Sequence, residues 1–105
     1  MADFMKILQQ AQEMQGKFAA LQTELEKESV TASAGGGMVT VEANGKGTVR
    51  SIKIDPSVVN AADVEMLEDL VLVAITEAQK KAGDVAQREM GKLTGGLSLP
   101  FKLPF

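Results

Sequence analysis

The sequence predicts an α/β protein, more narrowly α+β, in which a small antiparallel three-stranded sheet is flanked by two long helices. Three observations predict this fold. Asn44-Gly45 lies between alternating apolar runs, which is the strongest short signal for a β-hairpin. A heptad repeat of apolar residues precedes the hairpin, and a second long helical pattern follows it. We expect one domain over residues 1–105.

The first helix is predicted over residues 3–28, with Asp3 able to cap its start. At 1.5 Å per residue it is about 38 Å long, so part of it should project beyond so small a sheet. Its end carries an acidic cluster that opposes the helix dipole, and the sequence does not explain why. The apolar residues step by three and four, which favours packing against a partner helix. They are Phe4, Ile7, Ala11, Met14, Phe18, Leu21 and Leu25.

Three strands are predicted in the middle of the chain. Residues 29–34 are small and β-branched, residues 39–43 alternate between apolar and polar, and residues 48–54 supply the partner strand. A type I′ turn at Asn44-Gly45 would require positive φ at both residues. Because a lone three-stranded sheet leaves its edges exposed, we expect pairing with a second copy.

The last helix is predicted to begin near residues 60–63 and to stop at Gly91 or by Gly95-Gly96. Residues 70–75 are apolar on every face, which predicts burial by a dimer interface or by the sheet. The tail, residues 95–105, is apolar but interrupted by prolines. We expect it to be flexible or to dock on a helix as an extended segment.

Composition argues against several functions. The chain has no Cys and no His, so the commonest general base and the commonest metal ligands are missing. Gly35-Gly36-Gly37 matches neither a P-loop nor a dinucleotide fingerprint, because a strand follows it. We therefore predict no catalytic residue, no cofactor or metal, no small-molecule substrate and no enzyme activity. No secretory signal or membrane span is visible, which predicts a cytoplasmic protein without a membrane partner.

Charge is unevenly distributed along this acidic chain, whose formal net charge is −3. Residues 24–78 hold four basic and ten acidic side chains, whereas residues 79–105 hold five basic and two acidic ones. If the helices pack antiparallel, the start of the first lies beside the end of the last. That distal tip would gather basic side chains. They are Lys6, Lys17, Lys80, Lys81, Arg88 and Lys92.

The ordered set of motifs resembles the YbaB/EbfC family of bacterial nucleoid-associated proteins. The motifs are the Met- and Gln-rich opening over residues 5–15, residues 36–41 followed by Asn44-Gly45, residues 52–56, the last helix from residue 66, and the exit at residues 93–97. The tail departs from the glycine- and proline-rich ending of the family.

The resemblance implies a tweezer-like homodimer whose helical arms bind double-stranded DNA and alter its conformation. It also implies a cytoplasmic, nucleoid-associated location, with effects on nucleoid organisation and gene expression. Family DNA contacts lie on polar and basic residues of the arms. In this chain those positions are Lys6, Gln9, Gln10, Gln12, Lys17, Lys80, Lys81, Arg88 and Lys92.

Two other functions remain open from the residues alone. The acidic middle and the apolar tail would also suit a protein-interaction module with little direct DNA binding. Carboxylates such as Glu65 and Glu68 could be paired as catalysts, but acids near a helix start more often stabilise its dipole. Salt-dependent binding to a random duplex would distinguish direct, phosphate-led DNA binding from the first alternative.

Overall fold

The computed structural model describes residues 2–93 and confirms the predicted fold class. Helix α1 (Ala2–Lys27) leads into strands β1 (Ser29–Ala34), β2 (Val39–Asn44) and β3 (Val49–Ile54). A 3-10 turn (Pro56–Val58) and helix α2 (Val64–Leu93) follow. The strands form one antiparallel sheet in the order β1-β2-β3. The predicted tail lies outside the described residues.

Helix α2 covers one face of the sheet, over β1 and β2. Val39, Val41 and Ala43 of β2 are fully buried there, against Ala74 and Ala78 of α2. The alternation of β2 predicted this face, because successive side chains of a strand point to opposite sides. β3 stays largely outside the cover of α2, so part of the apolar face of the sheet is exposed.

Both ends of α1 and the start of α2 lie within one residue of the predicted positions. α2 begins one residue after Asp63, whose carboxylate accepts from the Met66 backbone N–H at 3.2 Å and so caps the helix. It continues through Gly91 to Leu93, so Gly91 does not end it. The alternative stop at Gly95-Gly96 lies beyond the described residues.

The hairpin is where the sequence predicts it, but the predicted turn type is wrong. Neither Asn44 nor Gly45 has positive φ, and Gly47 adopts φ 87° instead. Asn44 remains in β2, and its buried side-chain oxygen accepts from the backbone N–H groups of Lys46 and Thr48. A longer loop is therefore organised by one buried amide, with a single glycine providing the left-handed conformation.

A second apolar cluster joins the two helices beyond the sheet. Leu21 and Leu25 of α1 are buried against Met90 of α2, with Val85 and Leu93 beside them. α2 therefore leaves the sheet alongside the last two turns of α1. Residues 3–13 of α1 are all exposed and extend past this cluster. The prediction that the start of α1 lies beside the end of α2 is wrong for the described residues, because the contact involves the end of α1.

Candidate nucleic-acid interface

The helical arm consists of α1 and the part of α2 that leaves the sheet. The described chain measures 72 × 24 × 16 Å along its principal axes, so the arm accounts for much of its length. All of the predicted DNA-binding residues are exposed on these two helices. An elongated, solvated pair of helices is a shape that can follow a nucleic-acid groove or backbone.

The root of the arm is fixed to the sheet by contacts at the end of α1. The backbone N–H of Gly45 donates to the Leu25 carbonyl at 2.8 Å, and the Arg50 guanidinium donates to the Glu26 carbonyl. Lys46 forms a salt bridge with the Glu26 carboxylate at 3.3 Å. These cations also resolve the apparent conflict at the acidic helix end. They come from the β2–β3 loop and β3, so they interact with a C-terminus that favours positive charge.

The predicted distal tip does not gather all six basic residues. Lys81 Nζ donates to the Thr31 carbonyl at 2.7 Å, which places Lys81 beside β1 at the root of the arm. Lys80 is its neighbour in α2, so it also lies near the sheet. The prediction was wrong because α2 still packs on the sheet at Ala78. Ala82, one turn later, is also buried, so the segment that carries both lysines stays close to the strands.

Helical spacing decides which predicted residues share a face. At about 100° per residue, Lys81, Arg88 and Lys92 fall within roughly 40° on α2, and Lys80 points about 100° away from Lys81. On α1, Lys6 and Lys17 fall within roughly 20°, with Gln10 beside them and Gln9 on one flank. Gln12 lies roughly 120° from Lys6, on a different side of the helix.

Two contacts orient these faces relative to the sheet. The cleft between the helices, about 410 Å³ in volume, is lined by Gln22 of α1, Gln79 and Gly83 of α2, and the β2–β3 loop at Gly45 and Gly47. Gln79 donates to the Gly47 carbonyl at 3.2 Å. Lys81 instead contacts β1, an edge strand of the sheet. The arm thus has a loop side and a β1 side.

The charges on the arm differ in how they are used. Within residues 2–93, no hydrogen bond or salt bridge engages the side chains of Lys6, Lys17, Lys80 or Arg88. Lys92 forms an exposed salt bridge with Glu89 at 3.3 Å. Such a surface pair contributes little to stability, so Lys92 can exchange it for another anion at low cost.

Arg50 and Lys46 have roles at the root of the arm that were not predicted from the sequence. Their only sequence signal is their position in and after a hairpin, opposite the acidic end of the first helix. Their roles depend on how the hairpin packs against α1, which the local sequence does not specify.

Within residues 2–93 no cluster of three or more acidic side chains could hold a metal ion. Neither described helix is long and apolar enough to cross a membrane.

Comparison with known proteins agrees with the resemblance noted from the motifs. The model of the YbaB/EbfC DNA-binding family matches residues 1–97. A nucleoid-associated protein of Gemmatimonas aurantiaca is 52% identical over 103 residues, which cover 98% of this chain and 99% of that protein. Another from Desulfotalea psychrophila is 49% identical, covering 93% and 92% of the two chains.

The fold also has a counterpart among solved structures. The crystal structure of an uncharacterized protein from Helicobacter pylori superposes with a TM-score of 0.79 at 24% identity, covering 88% of this chain and 97% of that one. At this identity the likeness concerns the fold alone. The match of the family model over nearly the whole length, together with close relatives, establishes that this chain belongs to the YbaB/EbfC DNA-binding family.

Proposed function

We propose that this protein binds double-stranded DNA as a homodimer in the nucleoid and alters the conformation of the DNA. The observation that carries this proposal is the set of exposed basic side chains on one side of the helical arm. Membership in a DNA-binding family supports it, as do the relatives from Gemmatimonas aurantiaca and Desulfotalea psychrophila, which are named nucleoid-associated proteins. A cytoplasmic location follows from the same proposal.

The basic side chains of both helices fall on the β1 side of the arm. Gln22 and Gln79 both border the loop-side cleft, which fixes the rotation of each helix. At about 100° per residue, Lys6 and Lys17 lie on the side of α1 that is opposite Gln22. Arg88 likewise lies on the side of α2 that is opposite Gln79. We define the basic face as the residues on that side. It comprises Lys6, Lys17, Lys81, Arg88 and Lys92.

The basic face suits phosphate contacts more than base recognition. Lys81 to Lys92 span about 16 Å along α2, comparable with the roughly 12 Å width of the major groove. Lys and Arg there would neutralise phosphates, and Gln9 and Gln10 at its flank could donate further hydrogen bonds. Glu13 and Asp84 lie close to the same face and reduce its field. We therefore expect modest affinity that falls steeply as salt rises.

Dimerisation would use the exposed part of the sheet and the adjoining flank of α2. Ile52 and Ile54 share the buried face of the sheet because they pair with Val41 and Val39, yet they are 43% and 39% exposed. Leu72 on α2 is 64% exposed. The sheet has two edge strands, β1 and β3. On β1 the Thr31 carbonyl already accepts a hydrogen bond from Lys81, so we assign β3 as the edge that pairs with a second copy.

A dimer of this kind would carry two arms on one rigid sheet core. Each arm would hold a set of phosphates at a distance fixed by the core, and the DNA between them would have to adapt its path. Bending of a short duplex costs a few kcal/mol, which additional phosphate contacts can offset. This arrangement is our basis for proposing a change in DNA conformation.

The test is fluorescence anisotropy of a random-sequence duplex across a salt series. We expect the logarithm of the affinity to fall linearly with the logarithm of salt, and the double variant K17Q/R88Q to reduce that slope. The matched control is K53Q/K80Q, which also removes two exposed basic charges, both of them outside the basic face. Equal affinity and slope for the wild type and K17Q/R88Q would reject the basic face as the DNA site.

A second readout tests the change in DNA conformation. Energy transfer between dyes at the two ends of a short duplex should rise when wild-type protein binds, because a bent duplex brings its ends together. Binding in the anisotropy assay without any change in energy transfer would retain DNA binding and reject the bend.

A further inference from the structure

The N-terminal two-thirds of α1 carries an apolar seam that residues 2–93 leave largely exposed. We define the α1 seam as Phe4, Ile7, Ala11, Met14 and Phe18. Phe4 is 60% exposed and Ile7 is 61% exposed. The seam continues the line of Leu21 and Leu25, which α2 does bury. Exposed apolar side chains in one contiguous line are typical of an interaction surface.

The described part of the chain ends close to the Phe18 end of the α1 seam. α2 ends at Leu93, which packs against the cluster containing Leu21 and Leu25. Twelve residues follow it, and Gly95-Gly96 allows the chain to leave the helical conformation and continue toward Phe4. From there every second residue is apolar, and two of the residues between them are prolines. The apolar residues are Leu97, Leu99, Phe101, Leu103 and Phe105.

This alternation is typical of an extended segment with one apolar side. Pro100 and Pro104 exclude a helix and fit an extended backbone, and they cannot donate ladder hydrogen bonds in a central strand. Residues 97–105 in this form span about 27 Å at roughly 3.3 Å per residue. Phe18 to Phe4 span about 21 Å along α1. The segment is therefore long enough to follow the whole α1 seam.

We propose that residues 97–105 dock in extended form on the α1 seam of the same chain, running from Phe18 toward Phe4. The odd-numbered residues of the segment pack on the seam, and Ser98 and Lys102 face solvent. Leu93 lies beside the cluster that contains Leu21, which favours the same chain over a second copy, because only three residues separate Leu93 from the segment. A second copy would engage the separate surface on β3. The inference is independent of DNA binding.

Spin labels test both the docking and its direction. The chain lacks cysteine, so S98C and K102C each provide one attachment site on the solvent side of the segment. We expect the label at 102 to broaden amide signals most strongly over residues 4–11, and the label at 98 to do so over residues 14–18. Strongest broadening outside α1, or the reverse order along it, would overturn the proposal.

A mixed sample separates the two possible sources of the segment. Isotope-labelled wild-type protein is combined with unlabelled, spin-labelled K102C, so that any broadening of α1 must come from another copy. We expect no such broadening in the mixture. Broadening of residues 4–11 there would assign the seam to the segment of a second copy and overturn docking within one chain.

Hydrogen exchange gives a readout without labels. The variant L99S/F101S should speed exchange of the amides of residues 4–14 by roughly tenfold or more, because the end of α1 would lose its apolar cover. The control S98A should leave those rates unchanged. Unchanged exchange in β2 verifies that the sheet remains folded. Equal α1 exchange in L99S/F101S and wild type would overturn the proposal.

Discussion

The backbone N–H of Gly45 lies 2.8 Å from the carbonyl oxygen of Leu25, and this contact joins the hairpin to the arm. A Cβ at position 45 would lie 2.9 Å from the same oxygen. The glycine is required here for close approach of two backbones, since its φ is not in the left-handed region. The G45A variant must therefore push the loop away from α1.

We expect G45A to lower the free energy of unfolding by about 1–3 kcal/mol, the usual cost of overpacking. Urea unfolding followed by circular dichroism measures it. The matched control is G83A, because a Cβ at Gly83 meets nothing within 4 Å and this glycine lies inside a helix. G83A should raise stability by about 1 kcal/mol. Equal effects of the two variants would contradict the steric explanation.

The hairpin illustrates what the sequence could predict. The alternation in residues 39–43 and the Asn44-Gly45 dipeptide located the strands correctly, because both signals act over a few residues. The turn type could not be read in the same way. Gly45 serves a contact with Leu25, twenty positions earlier, and Gly47 provides the positive φ. Only the packed fold brings those groups together.

The candidate site shows the same limit. Exposure of the predicted residues on two helices followed from their amphipathic patterns, and the structure has all of them at the surface. Their grouping did not follow, because it depends on where α1 meets α2. The contact with Thr31 shows that Lys81 lies at the root of the arm and not at its distal tip. Helical spacing then separates Lys80 from the basic face.

Asp55 caps the 3-10 turn at Pro56–Val58, and a pH titration can test this contact. The Ser57 backbone N–H donates to Asp55 Oδ1 at 2.8 Å, and this bond, with help from the Ser57 hydroxyl, lowers the pKa of Asp55 below its ordinary value. A depressed carboxyl pKa stabilises the fold above the unfolded value, near ~4, and this contribution is lost as pH falls through the folded pKa.

An NMR titration of the Asp55 carboxyl measures this effect. The S57A variant should raise the pKa of Asp55 only partly, because the backbone N–H, the main cause, remains. S51A alters another exposed serine that does not contact Asp55 and serves as the control. An ordinary pKa for Asp55 in the folded wild-type protein would refute the proposed cap of the 3-10 turn.

Lys80 and Arg88 provide a comparison within one helix. Both are exposed and unpaired among residues 2–93, but only Arg88 lies on the basic face. We expect R88Q to weaken duplex binding by roughly threefold to tenfold at low salt, and K80Q to weaken it by less than twofold. Anisotropy at one fixed salt concentration ranks the variants. A larger loss for K80Q would place the DNA on another side of α2.

The surface at β3 predicts how the dimer responds to charge. Ile52 pairs with Val41 and lies on the apolar side of the sheet, whereas Ser51 pairs with Glu42 and lies on the opposite, exposed side. I52E would bury a carboxylate in the proposed interface, and we expect it to raise the dimer dissociation constant by at least about tenfold. S51E adds the same charge one residue away and should leave dimerisation nearly unchanged. Sedimentation equilibrium measures the dimer dissociation constant of both variants.

Because Ile52 is already 43% exposed in a single chain, circular dichroism should find both variants folded. A monomeric wild type, or a dimer unaffected by I52E, would exclude this surface. Since two arms on one core are needed to impose a path on DNA, a folded monomeric I52E should also bind duplex without raising the end-to-end energy transfer.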